Sequence, residues 1–228
     1  MGVTVLVRRG LTRFTTREIG RQTRHSFSFG DFYDPERVSF GPLVALNDDL
    51  LGTGAGYDAH PHSDVVLVTW VVTGELTHVD DSGAVLQPAG ELAVIEAGSG
   101  ITHSERAATG ATRFVQMWLR PGTPGGAPTR RTTAPDLSGG SLVAVAGPGG
   151  LPLDVPGATL WFGDLRPGEP VAVPESPLVY LFVVTGALTR SSLAEPLAAG
   201  DAFEFRDEHG LTVTPAVPTQ LLVWAFDS

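Results

Sequence analysis

Two histidines stand two residues apart in HPHSDVVLVTW, residues 60–70, just before an apolar run. In a strand, residues i and i+2 project from one face. His60 and His62 are therefore expected side by side at the start of a buried strand. A second pair with the same spacing, His103 and Glu105, closes EAGSGITHSE, residues 96–105. The glycines at 98 and 100 allow a tight turn ahead of it. Three neutral imidazoles and one carboxylate suit a single divalent ion, whether Fe, Mn, Ni, Cu or Zn. Four protein ligands leave one or two positions free on a five- or six-coordinate ion, and open positions on a redox metal allow oxygen chemistry. An isolated HxH is more often incidental than a ligand pair, and an isolated HSE is weaker still. It is the conjunction of the two that makes a metal site the expected reading.

The elements that must carry these pairs are written twice. VVTGELT, residues 71–77, recurs as VVTGALT, residues 183–189. Each copy follows an apolar strand-like run. Each continues through a short turn to a Gly (Gly90, Gly200) with an acidic residue after it (Glu91, Asp201), then closes on a tryptophan-bearing apolar strand, RFVQMWL or QLLVWAF. That order of features over about 50 residues points to a duplicated all-β unit. Aligning the copies puts Ala172 and Pro174 opposite His60 and His62, and Val213 and Pro215 opposite His103 and Glu105. The four polar residues are thus not required by the fold, and the metal site is expected in the first copy alone. Residues 120–140, rich in Pro, Gly and Thr, read as a linker. The expected division is a metal-binding domain over 1–120, a linker over 121–140 and a second domain over 141–228, without metal ligands.

Composition agrees with strands and turns. Gly (28) and Pro (18) together make about a fifth of the 228 residues, which leaves few segments able to form a long helix. The net charge of −10 argues against direct nucleic-acid binding, which needs a basic footprint. The arginines at 8, 9, 13, 17, 21 and 24 and the pair Arg130–Arg131 read as solvated surface. The absence of Cys excludes disulfides and thiolate ligands and fits a cytoplasmic protein. The start MGVTVLVRRG carries its basic residues after its apolar run, unlike a signal peptide. No apolar run approaches the roughly 20 residues needed to span a membrane.

Other polar residues carry weaker signals. His25, in RHSFSFGDFYDP, reads as a polar flank beside inward-packed Phe27 and Phe29. His78 is expected to cap a hairpin turn or to touch Asp80 and Asp81. His209 is expected on a surface turn. Gln116 sits on an apolar strand and, if buried, needs partners; lining a cavity and satisfying the core are equal expectations.

SFSFGDFYDP, ALNDD, HPH, TGELTHVDDSG, PAGE and AGSGITHSE together resemble the pirin family of bicupins, closely over residues 24–120 and more loosely beyond. The short bacterial pirins with quercetin 2,3-dioxygenase activity are the nearest resemblance. It implies two cupin jelly-roll β-barrels face to face with the metal in the first. The family's three His and one Glu ligands then fall on His60, His62, His103 and Glu105. One position departs: the family usually has a Glu four residues after the second His, where this chain has Val66. Losing a carboxylate there would bear on flavonol cleavage more than on metal binding, and Asp64 could replace it in part; a purely structural reading, Val66 as better core packing, is an equal expectation.

The expected function is a mononuclear metal-dependent dioxygenase, with Fe(II) first among the candidate metals. It would act on a flavonol (quercetin-like) or related enediol, with O2 as co-substrate and Gln116 as a possible cavity contact. The alternative is a metal- or redox-dependent binding module that regulates a protein partner. A cupin shell holding adventitious zinc is the third reading.

Overall fold

The structure is a computed structural model and describes residues 4–191 and 195–228. Two 3-10 turns, Gly10–Thr12 and Pro35–Arg37, are the helical elements among the described residues; the rest of the regular structure is strand. In chain order the first strands are β1 (Thr4–Arg8), β2 (Phe14–Glu18), β3 (Arg21–His25), β4 (Leu43–Leu51), β5 (Gly56–His62), β6 (Val66–Thr73) and β7 (Glu75–Asp80). There follow β8 (Gly83–Pro88), β9 (Leu92–Glu96), β10 (Ile101–Ala107), β11 (Thr112–Leu119), β12 (Thr129–Thr133), β13 (Val143–Ala146) and β14 (Ala158–Leu165). The last are β15 (Val171–Ala172), β16 (Leu178–Thr185), β17 (Ala187–Leu188), β18 (Leu197–Ala198), β19 (Ala202–Arg206), β20 (Thr212–Val213) and β21 (Thr219–Phe226). No helix among the described residues is long and apolar enough to cross a membrane.

The chain forms two compact units. The first, residues 14–135 with 153–156, has a seven-stranded sheet ordered β12-β9-β6-β11-β4-β3-β2 and a four-stranded sheet ordered β5-β10-β7-β8. β6, VLVTWVVT, is buried over its first six residues, so both of its faces are covered, and its β-branched side chains suit that position. Leu51, Val71 and Phe114 of the large sheet pack with Leu76 and Ala107 of the small one. The second unit has a six-stranded sheet ordered β1-β19-β16-β21-β14-β13 and the strand pairs β15-β20 and β17-β18. Its core joins Leu181, Val183, Phe203 and Leu221 of the sheet to Val171, Leu188, Leu197 and Val213 of the pairs.

The sequence repeat has a structural counterpart. β9-β6-β11-β4 in the first unit matches β19-β16-β21-β14 in the second. The glycine that ends VVTG does the same work twice. Gly74 and Gly186 have φ of +77° and +81°, a region that favours glycine. A Cβ would lie 2.6 Å from the Ala111 carbonyl oxygen at Gly74 and 2.4 Å from that of Pro218 at Gly186. The neighbouring threonines repeat a bond as well. Thr112 Oγ1 donates to the Glu75 carbonyl at 2.9 Å, and Thr219 Oγ1 to the Ala187 carbonyl at 3.1 Å.

The unit boundaries differ from those expected. Residues 4–13 belong to the second unit, where β1 pairs with β19 (Val5 opposite Phe205). The expected linker contains β12, which pairs with β9 (Arg131 opposite Val94). An exposed edge strand leaves a row of unpaired backbone groups. β9 and β19 would each present such an edge, and a segment distant in sequence covers each. Residues 153–156 return to the first unit, where the Asp154 backbone N–H donates to Glu96 Oε1 at 3.1 Å and the Gly122 N–H donates to the Asp154 carbonyl at 2.8 Å.

Candidate metal centre

β5 and β10 pair antiparallel with His60 opposite His103 and His62 opposite Ile101. Cross-strand neighbours share a face, so three imidazoles converge. Their ring centroids lie 4.9 Å (His60–His62), 4.5 Å (His60–His103) and 4.9 Å (His62–His103) apart, and donor atoms of all three lie within 4.8 Å of one another. Nε2 of His62 and Nε2 of His103 are buried and make no hydrogen bond. Burial, followed by the His60 charge, lowers the His62 pKa to about 4. Burial, then the neighbouring His78, His60 and His62, lowers that of His103 to about 3. Both rings are therefore neutral near pH 7, the form that binds metals. Buried, unpartnered lone pairs on converging neutral imidazoles fit a divalent cation with nitrogen ligands.

Glu105 is placed differently. The β5–β10 ladder shifts register between His103 and Glu105, an irregularity of the kind that re-aims side chains. Glu105 sits opposite His78 of β7 and groups with His78 and His103 within the same 4.8 Å limit. It is buried, and burial pushes its carboxyl up to about 7, against two hydrogen bonds from Gln116 that favour the charged form. Gln116 Nε2 donates to Glu105 Oε1 at 2.9 Å and Oε2 at 3.1 Å, while Gln116 Oε1 accepts from Trp118 Nε1 at 2.9 Å. Gln116 is itself buried, and its amide holds Glu105 and Trp118 in place. The Trp118 ring in turn stands edge-on to His62 at 4.9 Å.

His78 belongs to this site. Its Nε2 bonds Asp80 Oδ2 at 3.0 Å, the carboxylate contact expected from sequence. Its Nδ1 meets His103 Nδ1 at 3.2 Å, a contact that depends on β7 lying beside β10. The bonds assign the tautomers. A carboxylate only accepts, so His78 carries its proton on Nε2 and accepts at Nδ1; His103 then donates from Nδ1 and keeps its Nε2 lone pair free. The sequence signal was the period-two pattern His78-x-Asp80, the spacing of the other two pairs.

The remaining histidines lie elsewhere. His25 is not a polar flank: it is buried, with Nδ1 on Asn47 Oδ1 at 2.8 Å, Nε2 on Thr16 Oγ1 at 2.9 Å, and its ring stacked on Phe29 at 4.9 Å. His209 is exposed, 3.8 Å from Glu175. Val66 is a buried core residue, as its packing reading expects. In β6 it alternates with Leu67 and Thr69, and Thr69 bonds Gln116 on the site face. Val66 therefore lies on the opposite face of the sheet. It stands opposite Glu96, whose carboxylate accepts from Thr129 Oγ1 at 2.7 Å and Arg131 Nη1 at 3.1 Å. Asp64 is no replacement at the site. It lies outside the strand with φ +50°, and its Oδ1 accepts from the Gly125 backbone N–H.

The sequence model of the Pirin family matches residues 8–119. A Mycobacterium tuberculosis (strain H37Rv) protein provisionally named a quercetin 2,3-dioxygenase is 39% identical over 235 residues, covering 98% of this chain and 96% of its own length. This chain belongs to the pirin family.

Solved structures agree with it in fold. The bacterial pirin YhhW from Escherichia coli, in complex with nickel(II), superposes with a TM-score of 0.89 at 26% identity, over 98% of this chain and 99% of its own. A quercetin 2,3-dioxygenase from Acinetobacter baumannii superposes with a TM-score of 0.72 at 23% identity, over 89% and 79%, which shows the shared cupin jelly-roll fold. This pirin also has a cavity of about 690 Å3 in its second unit, beside Leu142, Trp161 and Val173, with no histidine in its lining. Among the described residues, the groupings that could hold a metal all lie in the first unit.

Proposed function

We propose that this pirin is a metal-dependent dioxygenase that opens the ring of a flavonol (quercetin-like) or a related enediol, with O2 as co-substrate. The observation that carries the reading is the pair of buried, unpartnered Nε2 atoms of His62 and His103 within a cluster of three imidazoles. His60, His62 and His103 would hold one divalent ion, Fe(II) in the first instance, and Glu105 would complete the donor set. When bound, such an ion supplies Lewis acidity that makes a substrate hydroxyl easier to ionise. The Glu105 carboxylate, grouped with His103 beside the imidazoles, is placed to take the released proton. Gln116 keeps that carboxylate aimed, and Trp118 beside His62 gives a flat ring an apolar wall. The names of relatives in M. tuberculosis and E. coli point to the same substrate class.

The alternative, a module that regulates a protein partner, drew its support from the missing carboxylate at position 66. That position faces away from the imidazoles, which removes the support. The test is anaerobic loading with Fe(II), Mn, Ni or Cu, then quercetin and air. Loss of the flavonol absorption with ring-cleavage product is expected for at least one metal, and no turnover with any of the four would overturn the reading.

A further inference from the structure

The site face of the large sheet carries a cross-strand row of Trp118, Leu67, Ile95 and Arg130. Trp118 touches His62 at one end of the row, and at the other Arg130 lines a cavity of about 260 Å3. Asp80, Asp81, Ser82, Gly100 and Ile101 line the same cavity. Ile101 is the cross-strand partner of His62, and Asp80 holds His78, so the cavity adjoins the histidine cluster. Nε and Nη2 of Arg130 are buried and without a hydrogen-bond partner. The Asp80 carboxylate accepts from the Ser82 backbone N–H at 2.8 Å, from Ser82 Oγ and from His78.

We infer that Arg130 forms an anion subsite for a carboxylate, which it binds through the Nε–Nη2 edge. On a planar guanidinium these two N–H groups lie side by side and match the two oxygens of a carboxylate. Buried charged donors left unmade are costly, and a ligand carboxylate relieves that cost. Burial disfavours the arginine's charge, while Asp80, Glu91 and Glu105 support it. The cavity lies just below the size usual for drug-sized ligands. It suits a single-ring or short-chain acid, or the acid end of a larger molecule, and not a whole flavonol. The subsite goes beyond the dioxygenase reading and does not depend on it.

Calorimetric titration of the full-length protein with benzoate, its neutral counterpart benzamide, and sulfate tests the assignment, with and without bound metal. The wild type is expected to bind benzoate at least tenfold more tightly than benzamide or sulfate in both states. Arg130→Gln should lose at least tenfold in benzoate affinity. Arg130→Lys, which keeps the charge without the fork, should lose most of it too. Equal affinity for benzoate and benzamide, or undiminished benzoate binding in either folded variant, would overturn the subsite. Sulfate bound as tightly as benzoate would overturn the carboxylate assignment. Benzoate binding that disappears with the metal would place the acid on the ion and overturn it as well. None of these readouts involves turnover, so a failed flavonol assay leaves them intact.

Discussion

His78 and His103, 25 residues apart in the chain, meet through their Nδ1 atoms at 3.2 Å. Asp80 holds the far side of His78, so a carboxylate–imidazole–imidazole line ends at the free Nε2 of His103. Such outer partners orient a ligand and fix its tautomer, and losing one commonly lowers metal affinity 10–100-fold. His78→Phe is expected to lower metal affinity by about that factor, measured by competition with a chelator. Asp80→Asn should act in the same direction and more weakly. Unchanged affinity in both would show that the line does not position His103.

Removing a ligand should do more than removing its support. His60→Ala, His62→Ala and His103→Ala are each expected to abolish stoichiometric metal uptake, read as metal per chain after desalting. Glu105→Gln should retain part of it, because Glu105 groups with His103 and His78 and not with the HPH pair. Full metal content in either HPH variant would refute the centre.

Gln116 supplies the hydrogen bonds to a buried carboxylate. Gln116→Leu would leave Glu105 buried without them, a loss of about 1–3 kcal/mol. The metal-free variant is expected to melt at a lower temperature than the wild type. Combining it with Glu105→Leu should recover part of the loss, since two apolar partners leave no orphan. Additive losses in the double variant would argue that the two side chains are not coupled.

Asp49 gives a pH dependence away from the imidazoles. It is fully buried and accepts from Thr23 Oγ1 and Tyr57 OH, both at 2.5 Å. Burial raises its pKa from 3.8 to about 6, against those bonds. Between these two values the folded state binds more protons than the unfolded one. Its contribution to stability is therefore full below pH 3.8 and is lost as pH rises to about 6. Asp49→Asn keeps an acceptor for both hydroxyls and removes the titration. The variant's advantage in melting temperature over the wild type should grow from pH 4 to pH 6 and then level off. A constant difference across that range would contradict the assignment.

Fold and site were legible in the sequence to different depths. VVTGELT and VVTGALT revealed the duplication because the glycine, the apolar run and the later threonine answer local needs, a left-handed turn against a packed strand. His60, His62, His103 and Glu105 stood out because period-two spacing is set by the strand itself. Residues 4–13 and 129–133 were not legible in the same way: β1 lies beside β19 and β12 beside β9. What places them is the open edges of β19 and β9, and an edge is a property of the assembled sheet.

Local alternation and chemical type, both written residue by residue, determined that this chain is a duplicated all-β protein with one imidazole-rich cluster in its first copy. Tertiary structure alone decided that His78 supports His103, that Gln116 holds Glu105, that position 66 faces away from the cluster and that the Arg130 donors lie buried beside it. Each of these depends on which strands become neighbours and in what register, and that follows from burying whole faces of the sheets together, not from any short stretch of chain.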